Sequence, residues 1–137
     1  MSSRPNIQTP VLWIGVAVFV AGRLIDLWWH ATHPEFETAA DQVRAHFVVW
    51  TGTILMLVGA AWAVAFGAAS RGYLVVLAGG VGYAAVAVWH FWEHSQGRDP
   101  DLPHLLLLIT NVVMFLGAAW VWLEARKRVQ KPIQDGA

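Results

Sequence analysis

Six histidines carry most of the chemistry open to this chain, and four of them bound long apolar stretches: His30, His46, His90 and His104. Imidazole binds zinc, copper, iron and nickel, and a carboxylate adds a harder oxygen donor. Asp26 stands four residues before His30, so on a helix the two share a face one turn apart. His90 and His94 have the same spacing, and His30 and His33 are three apart. Pairs of ligands one turn apart, meeting ligands from a facing helix, are how bundle cores build metal sites. The chain has no cysteine, which removes thiolate ligands, disulfides and cysteine nucleophiles together. Met56 and Met114 are its only internal sulfurs.

These residues define a ligand set of His30, His46, His90 and His104, with Asp26 as a fifth ligand and His94 as the next candidate. Each has a plainer explanation to be weighed against it. Arg23 lies three residues before Asp26 and would pair with it without any metal; Asp26 would also serve by orienting His30 from behind. His33, in a polar loop, fits a solvated residue better than a ligand. His94 and Glu93 follow their helix out toward water. His104 comes directly after Pro103 and would open a helix. Met56 and Met114 fit a copper(I) relay less well than ordinary packing. Because imidazole must be neutral to ligate, metal affinity is expected to fall on acidification.

The elements that position these groups follow from composition. Of 137 residues, 57% are hydrophobic and 13% are charged, where a soluble domain carries about 25% charged. The missing charge implies lipid as solvent, and the length allows one domain. Four stretches approach the roughly 20 apolar residues needed to cross a bilayer: Val11 to Trp29, Ala45 to Gly67, Tyr73 to Trp92 and Leu105 to Leu123. Each must be helical, since an unpaired amide in lipid costs about several kcal/mol. The first stretch ends in Trp28-Trp29-His30 instead of a small-residue cleavage site, and is expected to be a retained span.

Arg4, Arg71 and the Arg126, Lys127, Arg128, Lys131 cluster mark the termini and the middle loop as cytoplasmic. Glu35, Glu37, Asp41, Glu93, Asp99 and Asp101 put the two histidine-bearing loops outside, at a bacterial or archaeal cytoplasmic membrane. The nine tryptophans form two belts: Trp28, Trp29, Trp50, Trp89 and Trp92 outside, Trp13, Trp62, Trp120 and Trp122 inside. A net charge of zero without a long basic tract argues against nucleic acid as a partner.

The chain also repeats itself. HFVVWTGTILMLVGAAW, from His46 to Trp62, aligns with HLLLLITNVVMFLGAAW, from His104 to Trp120, with His, Met and Gly-Ala-Ala-Trp in common. Upstream, Gly22 to His30 aligns with Gly82 to His90, sharing the glycine and the Trp-His pair. The expectation is therefore an all-α membrane four-helix bundle of two tandem hairpins, with both termini cytoplasmic. The first repeat covers about 11–67, the second about 73–125, and 126–137 form a basic tail. Such a duplication has a pseudo-two-fold axis along the membrane normal. It would gather the four histidines into one layer.

The segment DLWWH at Asp26 to His30, followed by His46, resembles the metal-binding hairpin in the C subunit of particulate methane and ammonia monooxygenases. It is also similar to a wider group of small membrane proteins with Asp-x-x-Trp-His and a later His before an apolar helix. In the monooxygenase subunit these residues hold copper or zinc, so the resemblance implies Asp26, His30 and His46 as three ligands. It covers about 20 residues. The loop before His46 is longer here, and Val86 stands where a second Asp would be. Oxygenase activity is not implied, because it depends on other subunits.

Together these features point to binding of copper or zinc, ahead of iron, at the outer face, in metal handling or as a centre in a larger membrane complex or homo-oligomer. The rivals are a small metal-dependent enzyme acting on a lipophilic substrate, a bis-histidine haem protein, and an accessory subunit without metal.

Overall fold

Four helices form in chain order: α1 (Gln8–Thr32), α2 (Ala39–Ala65), α3 (Arg71–Ser95) and α4 (Asp101–Gln134). The computed structural model describes residues 8–33, 39–67, 70–98 and 100–134. Arg4, Glu35, Glu37 and Asp99 lie outside them, as does the side chain of Lys131. Each helix encloses an expected apolar span and runs past it at one or both ends, except that α2 stops two residues short of Gly67. At 1.5 Å per residue, 25 residues measure about 37 Å, more than the hydrocarbon core requires. All four are long and apolar enough to cross a membrane. Among the described residues there is no strand.

Local chemistry explains several helix ends. Asp41 and Asp101 lie in the first turns of α2 and α4, where a negative charge complements the helix dipole. Ser70 caps α3 by accepting a hydrogen bond from the Gly72 amide at 3.2 Å. Gly67 and Gly97 leave α2 and α3 with φ of 75° and 68°, a left-handed conformation that other residues adopt at a steric cost.

Packing is closest within the hairpins, α1 on α2 and α3 on α4, and α2–α3 contacts join the two. Glycines set the close approaches. A Cβ at Gly22 would stand 2.5 Å from the Val49 amide nitrogen, and one at Gly79 would stand 2.6 Å from that of Met114. Small residues play this part in membrane bundles, where lipid removes the hydrophobic drive between helices. Met56 and Met114 are both fully buried in these seams, Met56 against Gly15 and Met114 against Gly79. Phe19 ties the hairpins together, edge-on to Tyr83 and to Phe115 at centroid distances of 6.0 and 5.3 Å. Outward faces expose Leu24, Phe47, Ile54, Val88, Leu108 and Leu116, as suits side chains that meet lipid.

Thr51, Thr53 and Thr110 carry hydroxyls of the kind that can hydrogen-bond between membrane helices. Their hydroxyls instead donate to the carbonyls of Phe47, Val49 and Leu106, one turn back on their own helices, at 2.9–3.0 Å. The i−4 carbonyl lies within reach of every helical threonine, so no neighbouring helix is needed.

Candidate metal centre

The histidines placed at span ends lie at one end of the bundle, where the C-terminal ends of α1 and α3 meet the starts of α2 and α4. Their geometry divides them into two groups. Asp26, His30 and His46 form one; His90, His94 and His104 form the other. Within each group one ligand atom per residue lies within 4.8 Å of the others.

The first group begins with a buried carboxylate. Asp26 faces inward from α1, with its side chain only 6% exposed. Burying an ionised carboxylate costs about several kcal/mol unless it is compensated. Arg23 compensates one oxygen, donating from Nη1 to Oδ2 at 2.6 Å. The other oxygen, Oδ1, is buried and accepts no hydrogen bond. It faces the Nε2 atoms of His30 and His46, each at 3.4 Å. His30 comes from the next turn of α1 and His46 from the facing turn of α2. The Arg23–Asp26 pair expected from the sequence is therefore present, but it uses one half of the carboxylate and leaves the other for the histidines.

The distance of 3.4 Å has chemical content. It is long for a hydrogen bond between nitrogen and oxygen. For an ion bound at about 2.0–2.1 Å by tetrahedral donors, adjacent ligand atoms stand about 3.4 Å apart. Two edges of that polyhedron are thus already in place.

The second group is built from imidazoles alone. His90 and His94, one turn apart on α3, stack at 4.3 Å. His104, near the start of α4, meets His90 at 4.4 Å and His94 at 6.0 Å between ring centroids. Nδ1 of His104 lies 3.1 Å from the Pro100 carbonyl oxygen, which can only accept. That contact selects the tautomer with hydrogen on Nδ1 and leaves the Nε2 lone pair for a metal, the usual support behind a ligating histidine. Sequence reasoning missed this carbonyl. The signal was there, because Pro100 precedes His104 by four residues where a helix begins.

The groups approach through His46 and His90, whose centroids are 6.4 Å apart. A cavity of about 20 Å³ lies beside them, lined also by Trp50 and Tyr83. It suffices for one water. His33 joins neither group. It is exposed and stacks on Trp29 at 4.1 Å with the rings 9° from parallel. Glu93 is also engaged elsewhere: Trp89 Nε1 donates to one oxygen at 3.0 Å and Arg98 Nε to the other at 2.6 Å.

Comparison with family models, with characterised proteins and with solved structures finds no match to this chain.

Proposed function

We propose that this is an integral membrane protein that binds a divalent transition metal ion, copper or zinc ahead of iron, through Asp26, His30 and His46. The observation that carries the proposal is Oδ1 of Asp26, buried without a hydrogen bond and 3.4 Å from two imidazole nitrogens. A carboxylate oxygen so placed calls for a cation. The three donors would supply it and leave a fourth position open, as in sites that take water or a substrate. The same three residues are those implied by the resemblance to the monooxygenase hairpin. The protein's role on this reading is metal handling, or a metal centre within a larger membrane complex or homo-oligomer.

The test is metal content after purification in detergent without chelator, beside the Asp26→Ala/His46→Ala variant. Bound copper, zinc or iron in the wild type, reduced by one equivalent in the variant, is the expected result. No metal in the wild type, even after reconstitution, would overturn the proposal and leave an accessory subunit with interfacial histidines.

The repeat and the charge distribution support a sided arrangement: two duplicated hairpins, both termini cytoplasmic and the histidine end outside. The absence of native cysteine makes this easy to check. A cysteine introduced at Gln96 should react with an impermeant maleimide added outside intact cells. One introduced at Lys127 should react only after the membrane is opened.

One observation favours an enzyme as a second reading. A groove of about 610 Å³ runs along α1 and α4, lined by Phe19, Leu24, Leu108, Phe115 and Leu116. Its size suits a small lipophilic molecule. Arg23, the partner of Asp26, stands on it, and so does Asn111, whose Oδ1 is buried without a hydrogen bond. For this reading, Ala119→Phe would obstruct the groove and abolish turnover of a lipophilic substrate while the metal content stays at the wild-type value.

A further inference from the structure

We infer that the chain holds a second metal ion, in a separate centre made by His90, His94 and His104; this rests on the proposal that the protein is a metal binder. Three observations place the two sets apart. First, the donor atoms of His90, His94 and His104 already lie within 4.8 Å of one another, without help from the first hairpin. Second, the Pro100 carbonyl sets the tautomer of His104 with hydrogen on Nδ1, which makes Nε2 the ring nitrogen that can ligate. Third, the contact between the groups is longer than any within the second: His46 and His90 stand 6.4 Å apart between centroids, against 4.3, 4.4 and 6.0 Å among His90, His94 and His104.

The two centres differ in charge as well as in place. The first includes a carboxylate and the second contains three neutral rings. Glu93, the acidic residue next to His94, is held by Trp89 and Arg98 and does not belong to the three donors. Three imidazoles with an open fourth position form a donor set suited to zinc or copper, borderline ions that tolerate an all-nitrogen shell. Each set pairs a more buried residue, Asp26 or His90, with an exposed one, His30 or His104, so both ions would be reachable from one side. The layer of four histidines expected from the repeat would then be divided between two ions.

The experiment is a zinc titration of the full chain in detergent, with bound zinc counted after desalting. The wild type should retain two equivalents. His94→Ala/His104→Ala should retain one, Asp26→Ala/His46→Ala should retain one, and the variant combining all four substitutions none. A wild type with one equivalent overturns the inference whatever the variants do. If that one ion disappears only with Asp26 and His46, the first centre stands alone. If either pair removes it, one shared centre exists, and the proposed metal binding survives while the second site does not. A wild type without zinc overturns both. A wild-type count below two overturns the inference even where a variant fails to fold, and His104→Gln, a milder change, assigns the second ion if the double variant does not fold.

Discussion

The first hairpin completes its donor set by turning inward, the second by turning outward. His30 and His90 stand near the C-terminal ends of α1 and α3, each opposite a histidine near the start of the next helix. The third donor on α1 is Asp26, one turn before His30 and thus about 6 Å further from the histidine end. On α3 it is His94, one turn beyond His90. A carboxylate can occupy the inner position because Arg23 and the facing imidazoles compensate its charge. The outer position is filled by a ring that needs little compensation. Similar backbone geometry thus yields one candidate ligand set with a carboxylate and one made of imidazoles alone.

Breaking this comparison most severely requires changing the backbone approach beneath one set. Gly22 lies one turn before Asp26 and against Val49. Gly22→Leu should force α1 away from α2, lose the first metal, and destabilise the bundle by about 1–3 kcal/mol as overpacking does. The second metal should stay. Thermal unfolding in detergent and zinc counting together check this; loss of both ions would show that the two sets stand or fall as one.

A chemical change at constant shape should have the next largest effect. Asp26→Asn keeps the side chain's size and removes its charge. Zinc affinity at the first centre should fall by more than about 100-fold, the upper range found for losing a supporting group behind a ligand. Affinity at the second centre should move little. Competition with a chromophoric chelator resolves the two, and an unchanged first affinity would remove Asp26 from the ligand set.

Arg23→Gln sharpens the same contrast more gently. The guanidinium holds one carboxylate oxygen and so fixes where the other points. Affinity at the first centre is expected to weaken about 10-fold, within the range for groups that orient a ligand. Tighter binding would mean instead that Arg23 competes with the metal for the carboxylate.

Much of this arrangement was legible in the sequence, and the missing part has an identifiable cause. The apolar runs gave all four helices, because a bilayer demands long apolar segments and permits few alternatives. The spacing of Asp26 to His30 and of His90 to His94 placed each pair on one helical face. What spacing along one helix cannot give is the distance between helices. Whether His46 completes a set with Asp26 and His30 or a layer with His90 depends on how the hairpins are seated, and contacts far apart in sequence determine that: Phe19 with Tyr83 and Phe115, and Gly80 with Leu57. The two oxygens of Asp26 were likewise indistinguishable. The sequence offered Arg23 or a metal as rival partners, and the structure gives Arg23 one oxygen and the histidines the other.

The smallest effect is expected at His33, and its smallness is informative. By spacing alone His33 is as good a partner for His30 as many true ligands, three residues on and at the same end of the bundle. Its ring instead lies flat on Trp29, with Nδ1 2.9 Å from the Thr32 hydroxyl. His33→Ala should therefore leave both zinc equivalents bound and both affinities within about twofold, since a change away from either set perturbs binding no more than about 0.5 kcal/mol. Loss of an ion would show that His33 swings in to fill the open fourth position of the first centre. Retention of both would confine the chemistry to the two groups of three and show that histidine type and helical spacing do not suffice to make a ligand when a ring has a better surface to lie on.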